Sequence, residues 1–439
     1  PYNPAAFLKL YLYGYVNGIR SSRKLEAETR RNIEVMWLLE ELKPNYKTLA
    51  NFRKDNSTPL RAVNRDFIIM SKELELLGGE EVAVDGSFFK GDASKQSIYT
   101  KANLDKQLES LEKKINAYQN ALAEQDASDD KAGKGSLVED EQNKEKIEFL
   151  KQKQAEKKAL QEQLKHSEET QISMTDEEAR LMRKRGQSTA GYNVQIAVDN
   201  KHKLIVAEET TQARCDKNQL APMLKKAQDV LQSNNLKGLA DSGYHASLQL
   251  KACEEMGIEV FVAIPNQSST AKKQGRFSHK DFEYDKDNNS VTCPQGNTLV
   301  AGKNPRIKNG KNMHVYRSKA SYCNDCPLRS KCLSEKSDIR KIERWEHQEV
   351  VERHQKRMKN EQGSMRKRGA MVEHPFGTLK YRAGMNHFLM RGLEKCKSEF
   401  SLMVLSYNFT RVINILGVGF LRDYCARRQA KRTIKVKYA

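Results

Sequence analysis

The strongest constraint on the fold is a succession of short β-prone runs that begins near residue 81. EVAVDGSFF at 81–89 is followed by GYNVQIAVD at 191–199, KLIVAEET at 203–210, GLADSGYH at 238–245 and EVFVAIP at 259–265. Helical periodicity enters between the later runs, at Gln219–Gln232 and at Ala246–Met256, where Gly257 closes the helix. Three strands in a row, then helix, strand, helix, strand, predict a mixed sheet with helices on both faces. The class is α/β.

At 439 residues the chain is long enough for two or three folding units. Its 77 lysines and arginines against 57 acidic residues leave a formal charge of +20, so the expected partner is a polyanion. No apolar run approaches the roughly 20 residues that span a bilayer, which favours nucleic acid over a membrane. The opening PYNPAAFLKLYLYGY lacks the basic and small-residue marks of a secretory signal, so a cytosolic protein is expected. Starting at Pro1 without methionine, the chain reads as a fragment of a longer one.

Residues 1–75 are helical in period throughout, through Phe7, Leu8, Leu10, Leu12 and Tyr15, then Ile33, Met36, Trp37 and Leu39. Gly14, Gly18, Ser21 and Ser22 mark a turn between the first two helices, and 45–54 supplies a third. This block reads either as a helix-turn-helix-like DNA reader or as a plain scaffold. Between the first two strands, Leu104, Leu108, Leu111, Ile115, Tyr118 and Leu122 form a heptad seam; DASDDKAGKGS at 126–136 breaks it, and a second charged helix runs to about Glu168. A projecting helical hairpin results, read as a solvated arm or as a dimerisation or DNA-contact device. A helical, charged segment is expected from Ile339 to about Met365, and the terminal RRQAKRTIKVKY reads as a disordered basic extension.

Asp85 and Asp241 each end a short apolar run, and Glu373 in MVEHPFGTLK opens a segment that reads as a helix. Taken singly, each carboxylate is also a good turn or cap residue. Together, from two strand ends and a helix, they form an oxygen-rich set of the kind Mg²⁺ prefers. Gly86 and Gly243 leave the backbone beside the two aspartates uncrowded, which reads as room for a phosphodiester. Since Pro375 suits a first helical turn, the helix start is placed close to Glu373. Lys380 lies seven residues on, on the same helix face, where it can reach a phosphate oxygen.

These segments resemble the three acidic motifs of bacterial insertion-sequence transposases of the DDE class. The carriers are Asp85 in VAVDGSFFK, Asp241 in GLADSGYHASLQLKACEEMGIEVFVAIP, and Glu373 in VEHPFGTLKYRAGMNHFLMRGLEKCKSEFSLMVLSYNFTRVINILG. The opening LYLYGYVNGIRSSRKLE with YKTLANFRKDN resembles the helical domain that precedes the catalytic domain in one branch of that class, and RKRGQSTAGYNVQIAVDNKHKLIVAEET extends the likeness over nearly the whole chain. The resemblance implies an RNase H-like fold with Asp85 on the first strand, Asp241 on the fourth and Glu373 on a later helix. It implies two Mg²⁺ or Mn²⁺ ions on Asp85, Asp241 and Glu373, cleavage of transposon ends by water, joining of the freed 3′-OH to target DNA, and a homodimer on double-stranded DNA near the nucleoid. Glu373 and Lys380 match the end of the Y-x2-R-x3-E-x6-K signature, whereas position 369 is glycine where arginine is expected, with Arg366 and Arg368 adjacent. Arg366, Arg368, His374 and Lys380 are the expected DNA contacts. A DNA-binding relic without catalysis and an RNase H-like nuclease without strand transfer are the alternatives.

Of eight cysteines, Cys293, Cys323, Cys326 and Cys332 fall within forty residues, with Cys323 and Cys326 as a CxxC pair. The pattern suits tetrahedral zinc in a knuckle. An iron–sulfur cluster takes the same ligands, and unliganded reduced thiols are the third reading. Cys215, Cys253, Cys396 and Cys425 are assigned to packing. The resulting division is a basic helical domain at 1–75, a catalytic core at 80–100 and 185–265, a hairpin insertion at 101–175, a Cys-rich insertion at 266–338, core helices with Glu373 at 339–420, and a basic tail at 421–439.

Overall fold

The computed structural model describes residues 2–132, 137–167, 169–184, 186–265 and 275–437. The first seventy-odd residues form five helices: α1 (Pro4–Val16), α2 (Ser22–Arg31), α3 (Ile33–Leu38), α4 (Tyr46–Asp55) and α5 (Ser57–Glu73). Asparagine caps divide them more finely than apolar spacing does. Asn3 caps α1, Asn32 caps α3 and Asn45 caps α4, each through a side-chain oxygen that accepts a backbone N–H of the first turn. Ile33 and Trp37, which carry the helical period, are 80 % exposed on one side of α3. The helix is too short for its apolar residues to share one buried face.

The central sheet is built from β1 (Glu81–Lys90), β4 (Arg180–Lys184), β5 (Gln187–Asp199), β6 (Ile205–Thr211), β7 (Lys237–Ala240) and β8 (Glu259–Val262). Its order runs β6, β5, β1, β7, β8, with β4 paired to the first half of β5. β1, β5 and β6 are antiparallel, and β7 and β8 then add in parallel beside β1. This is the strand order of an RNase H-like sheet. Alternating side chains explain why the strands read as nearly continuous apolar runs. Val82 and Val84 face α8 (Leu220–Leu231) and α9 (Ser247–Glu255), while Ala83 and Phe89 face the C-terminal helices.

Between β1 and β4 the chain makes β2 (Ile98–Thr100), α6 (Lys101–Ala132), α7 (Leu137–His166) and β3 (Gln171–Ser173). α6 runs on through Ala132, so DASDDKA does not break it. Residues 133–136 of the expected linker lie outside the described residues. Gln161 donates to Asp105, and Lys146 lies over the ring of Tyr118. Those pairings make the two helices antiparallel. Leu104, Ile115, Ile147 and Leu164 are buried along the seam, and β2 pairs with β3 at the base.

A second sheet follows, of β9 (Glu283–Asp285), β10 (Ser290–Thr292), β11 (Thr298–Ala301), β12 (Arg306–Lys308), β13 (Lys311–Arg317) and β14 (Lys341–Trp345), with α10 (Ala320–Asn324) and α11 (Arg329–Cys332) before its last strand. The segment expected to be helical from Ile339 thus begins as a strand, because Lys341–Trp345 pairs with β13. The chain then forms α12 (Gln348–Asn360), α13 (Ser364–Gly377), one π-helical turn at Thr378–Arg382, α14 (Leu393–Leu416) and α15 (Val418–Lys437). The tail expected to be disordered is helical through Lys437: Leu421 is buried, and Arg428 pairs with Asp66 and Glu73 of α5. Among the described residues no single helix is long and apolar enough to cross a membrane.

Candidate active site

β1 and β7 are parallel neighbours in register at Ala83 and Leu239. Two residues further along each, Asp85 and Asp241 therefore stand side by side. Asp85 lies in mid-strand and not at a strand end, because pairing with β5 continues to Lys90. Its Oδ1 accepts the Gly86 N–H at 2.9 Å. Asp241 directly follows β7 and caps a short 3-10 turn, accepting the Gly243 N–H at 2.8 Å.

A single cation joins the two. Arg368 on α13 places its guanidinium 2.6 Å from Asp85 Oδ1 and 3.8 Å from Asp241 Oδ2, with its side chain 16 % exposed. Burial raises the Asp85 carboxyl above its ordinary range; Arg368 pulls it down, and the neighbouring Asp241 charge pushes it up. Arg368 thus meets both carboxylates from the register that the signature comparison left off by one.

α13 begins nine residues before Glu373, so the expected helix start is displaced and Pro375 sits in its last turn. The π-helical turn that follows takes up the irregularity proline introduces, with Thr378 N–H reaching both His374 and Pro375 carbonyls. Glu373 is exposed, with Oε1 3.4 Å from where a Gly369 Cβ would stand. Among the described residues it makes no hydrogen bond or ion pair with either aspartate, and no group of three or more His, Cys, Asp or Glu lies close enough to hold a metal ion.

Lys380 folds back onto β1, where Nζ donates to Ser87 Oγ and to the Phe88 carbonyl at 3.0 Å. Burial, with Lys184 nearby, lowers its ammonium to about 8, while Asp85 acts in the opposite sense. Arg366 is exposed. His374 Nδ1 lies 2.9 Å from the Tyr407 hydroxyl on α14, and burial lowers its pKa.

Gly86 serves a different need from the one read in the sequence. A Cβ there would meet Asp216 Oδ1 at 2.7 Å, the Tyr244 hydroxyl at 2.9 Å and Gln195 Nε2 closer still. Side chains, not a phosphodiester, fill the space. Asn193, Gln195, Asp216 and Tyr244 escaped the sequence reading. One signal was present: Asn193 and Gln195 alternate within an otherwise apolar strand, so both belong to one covered face.

Cys293, Cys323, Cys326 and Cys332 line one small cavity at the end of the second sheet. Burial raises the Cys332 thiol, Arg340 opposes that, and the other three thiols add to it. Ser318 Oγ lies 3.1 Å from Cys323 Sγ, and Arg340 donates to the Cys332 carbonyl at 2.8 Å. The four share a cavity without closing on a common point. Of the other cysteines, Cys253 and Cys396 are buried, whereas Cys215 and Cys425 are exposed and have no packing role.

Two family models match the chain. The one described as Transposase DDE domain covers residues 292–413, a span that holds the four cysteines of the cavity, Arg368, Glu373 and Lys380. The one described as Transposase domain (DUF772) covers residues 1–55. No curated protein and no solved structure matches.

Proposed function

We propose, from the premise of an insertion-sequence DDE transposase that the two family matches support, that this chain binds transposon ends as double-stranded DNA, cleaves them and joins the freed 3′-OH to target DNA. The observation that carries the reading is the pair Asp85 and Asp241 sharing one cation across adjacent parallel strands. Two hard carboxylates already arranged about a positive charge suit Mg²⁺ or Mn²⁺. Asp85 and Asp241 would hold the metal; Glu373, exposed on α13 and among the described residues in contact with neither aspartate, is the proposed third ligand. Such ions, when bound, lower the pKa of an attacking water or 3′-OH and offset charge on the leaving oxygen.

The chain's own groups account for positioning. Arg368 holds the two carboxylates together in the metal-free chain, and with a metal on them its guanidinium would be available to a phosphate oxygen. Lys380, fixed on β1 two residues beyond Asp85, supplies a second positive contact for the DNA backbone, with Arg366 and His374 as outer contacts. In cleavage, water oxygen bonds to phosphorus, the bond to the 3′ oxygen breaks, and that oxygen leaves with a proton. In joining, the same 3′ oxygen attacks a target phosphodiester and displaces its 3′ oxygen in turn. The division into helical domain, split catalytic core, hairpin, Cys-rich insertion, core helices and tail belongs to this proposal, as do a homodimer on DNA and a cytoplasmic place at the nucleoid.

The test is substitution. Asp85→Asn, Asp241→Asn and Glu373→Gln should each abolish cleavage and strand transfer on a supercoiled plasmid with Mg²⁺, while gel-shift binding of end DNA persists. Near-normal cleavage by one of them removes that residue from the role.

The cysteine cavity is read as a zinc site, because Cys293, Cys323, Cys326 and Cys332 present four sulfur ligands from two turns and two short helices. One zinc per chain by native mass spectrometry, lost in Cys326→Ser, is the expected result. Zinc-free wild-type protein would end that reading.

A further inference from the structure

Beneath Asp85 and Asp241 lies a polar cluster that the catalytic triad leaves unused. Asn193 and Gln195 are fully buried on β5, where an unpartnered amide would be costly. Both are satisfied by one carboxylate: Asn193 Nδ2 and Gln195 Nε2 donate to Asp216 Oδ1 at 2.8 and 2.7 Å. Asn193 also donates to the Ala213 carbonyl at 3.1 Å, which ties down the loop that carries Asp216. On the other side, the Tyr244 hydroxyl donates to Gln195 Oε1, and Tyr244 closes the turn that Asp241 opens. Hydrogen bonds therefore run from the loop after β6, through β5, to the Asp241 turn. They pass directly under Gly86, the residue after Asp85.

We propose that Asp216 is a positioning residue for the Asp85 and Asp241 pair. Through Gln195 and Tyr244 it fixes the backbone at Gly86 and in the Asp241 turn, so that both carboxylates keep a common cation position. A charged acceptor serves this purpose well, since hydrogen bonds to a carboxylate are stronger than neutral ones. The geometry asks only for an acceptor at Oδ1, which asparagine also supplies. The inference rests on the metal-binding reading of the pair, and its test separates the two.

Mn²⁺ is titrated calorimetrically into the full chain, with thermal unfolding recorded for every variant. Asp216→Ala should weaken Mn²⁺ binding about 10- to 100-fold, the range for groups that orient metal ligands. Asp216→Asn should restore affinity to near wild type. Tyr244→Phe, which loses only the hydroxyl, should weaken binding in the same direction but less, and it carries the test should Asp216→Ala fail to fold. Wild-type affinity in either Asp216→Ala or Tyr244→Phe overturns the proposal. So does an Asp216→Asn loss as large as that of alanine, which would make Asp216 a metal ligand. Failure of the underlying reading looks different: no Mn²⁺ bound by wild type, or binding unaffected by Asp85→Asn.

Discussion

Lys380 shows how one residue's surroundings set its chemistry. Because burial and Lys184 bring its pKa to about 8, it loses its proton as pH rises through a range where an exposed lysine stays charged. A neutral amine attracts phosphate less, so end-DNA affinity should fall about tenfold between about pH 7 and 9, the scale of one charge-assisted hydrogen bond. Lys380→Arg should flatten that profile in gel-shift titrations, since guanidinium stays protonated; an unchanged slope would remove Lys380 from the phosphate contact. Asp85 and Asp241 were legible in the sequence because an acid at the edge of a β-prone run is a local pattern. Arg368 was legible only as a neighbour of the position expected. Its place between the aspartates depends on how α13 lies across β1 and β7. Asp216 gave no local sign, since both its side-chain partners, Asn193 and Gln195, stand some twenty residues away on β5.

At the scale of elements, α14 fastens the N-terminal helices to the central sheet through one buried acid. Glu399 is fully buried, lies 3.7 Å from Arg20 and 4.0 Å from Arg53, and accepts the backbone N–H groups of Leu389 and Met390. Glu399→Ala would leave two buried guanidinium groups uncompensated. We expect a loss of about 3–5 kcal/mol in urea unfolding, the cost of breaking a buried ion pair from one side. A change under about 1 kcal/mol would show that water or neighbouring carbonyls replace the carboxylate. Strands and the helices α8 and α9 were readable from periodicity, because each buries a face that its own pattern defines. α13 was misplaced because a local rule about proline gave way to packing: Met371, Val372 and Phe376 join the core that covers the sheet, which holds the helix through Pro375. α15 was misread because its basic composition hides the contacts of Leu421 and Arg428 with α5.

For the whole molecule, the helical hairpin is attached at a closed base. β2 pairs with β3 in register from Ile98 with Ser173 to Thr100 with Gln171, so the chain enters and leaves the insertion at one point. Replacing residues 101–170 by an Asn-Gly turn should preserve the core, with the melting temperature within about 5 °C of wild type. Mn²⁺ binding at the aspartate pair should persist, and collapse of the fold would show that the hairpin supports the sheet. The same arrangement governs how the site comes into being during synthesis. Asp85 and Asp241 are 156 residues apart, and β7 must emerge before the parallel pairing that sets them side by side can form. At ribosomal rates of roughly 5–20 residues per second, Asp85 waits about 8–30 s for its neighbour, and longer for Arg368. The nascent chain thus carries Asp85, Asp241 and Arg368 in an order that keeps them apart until most of the protein has been made.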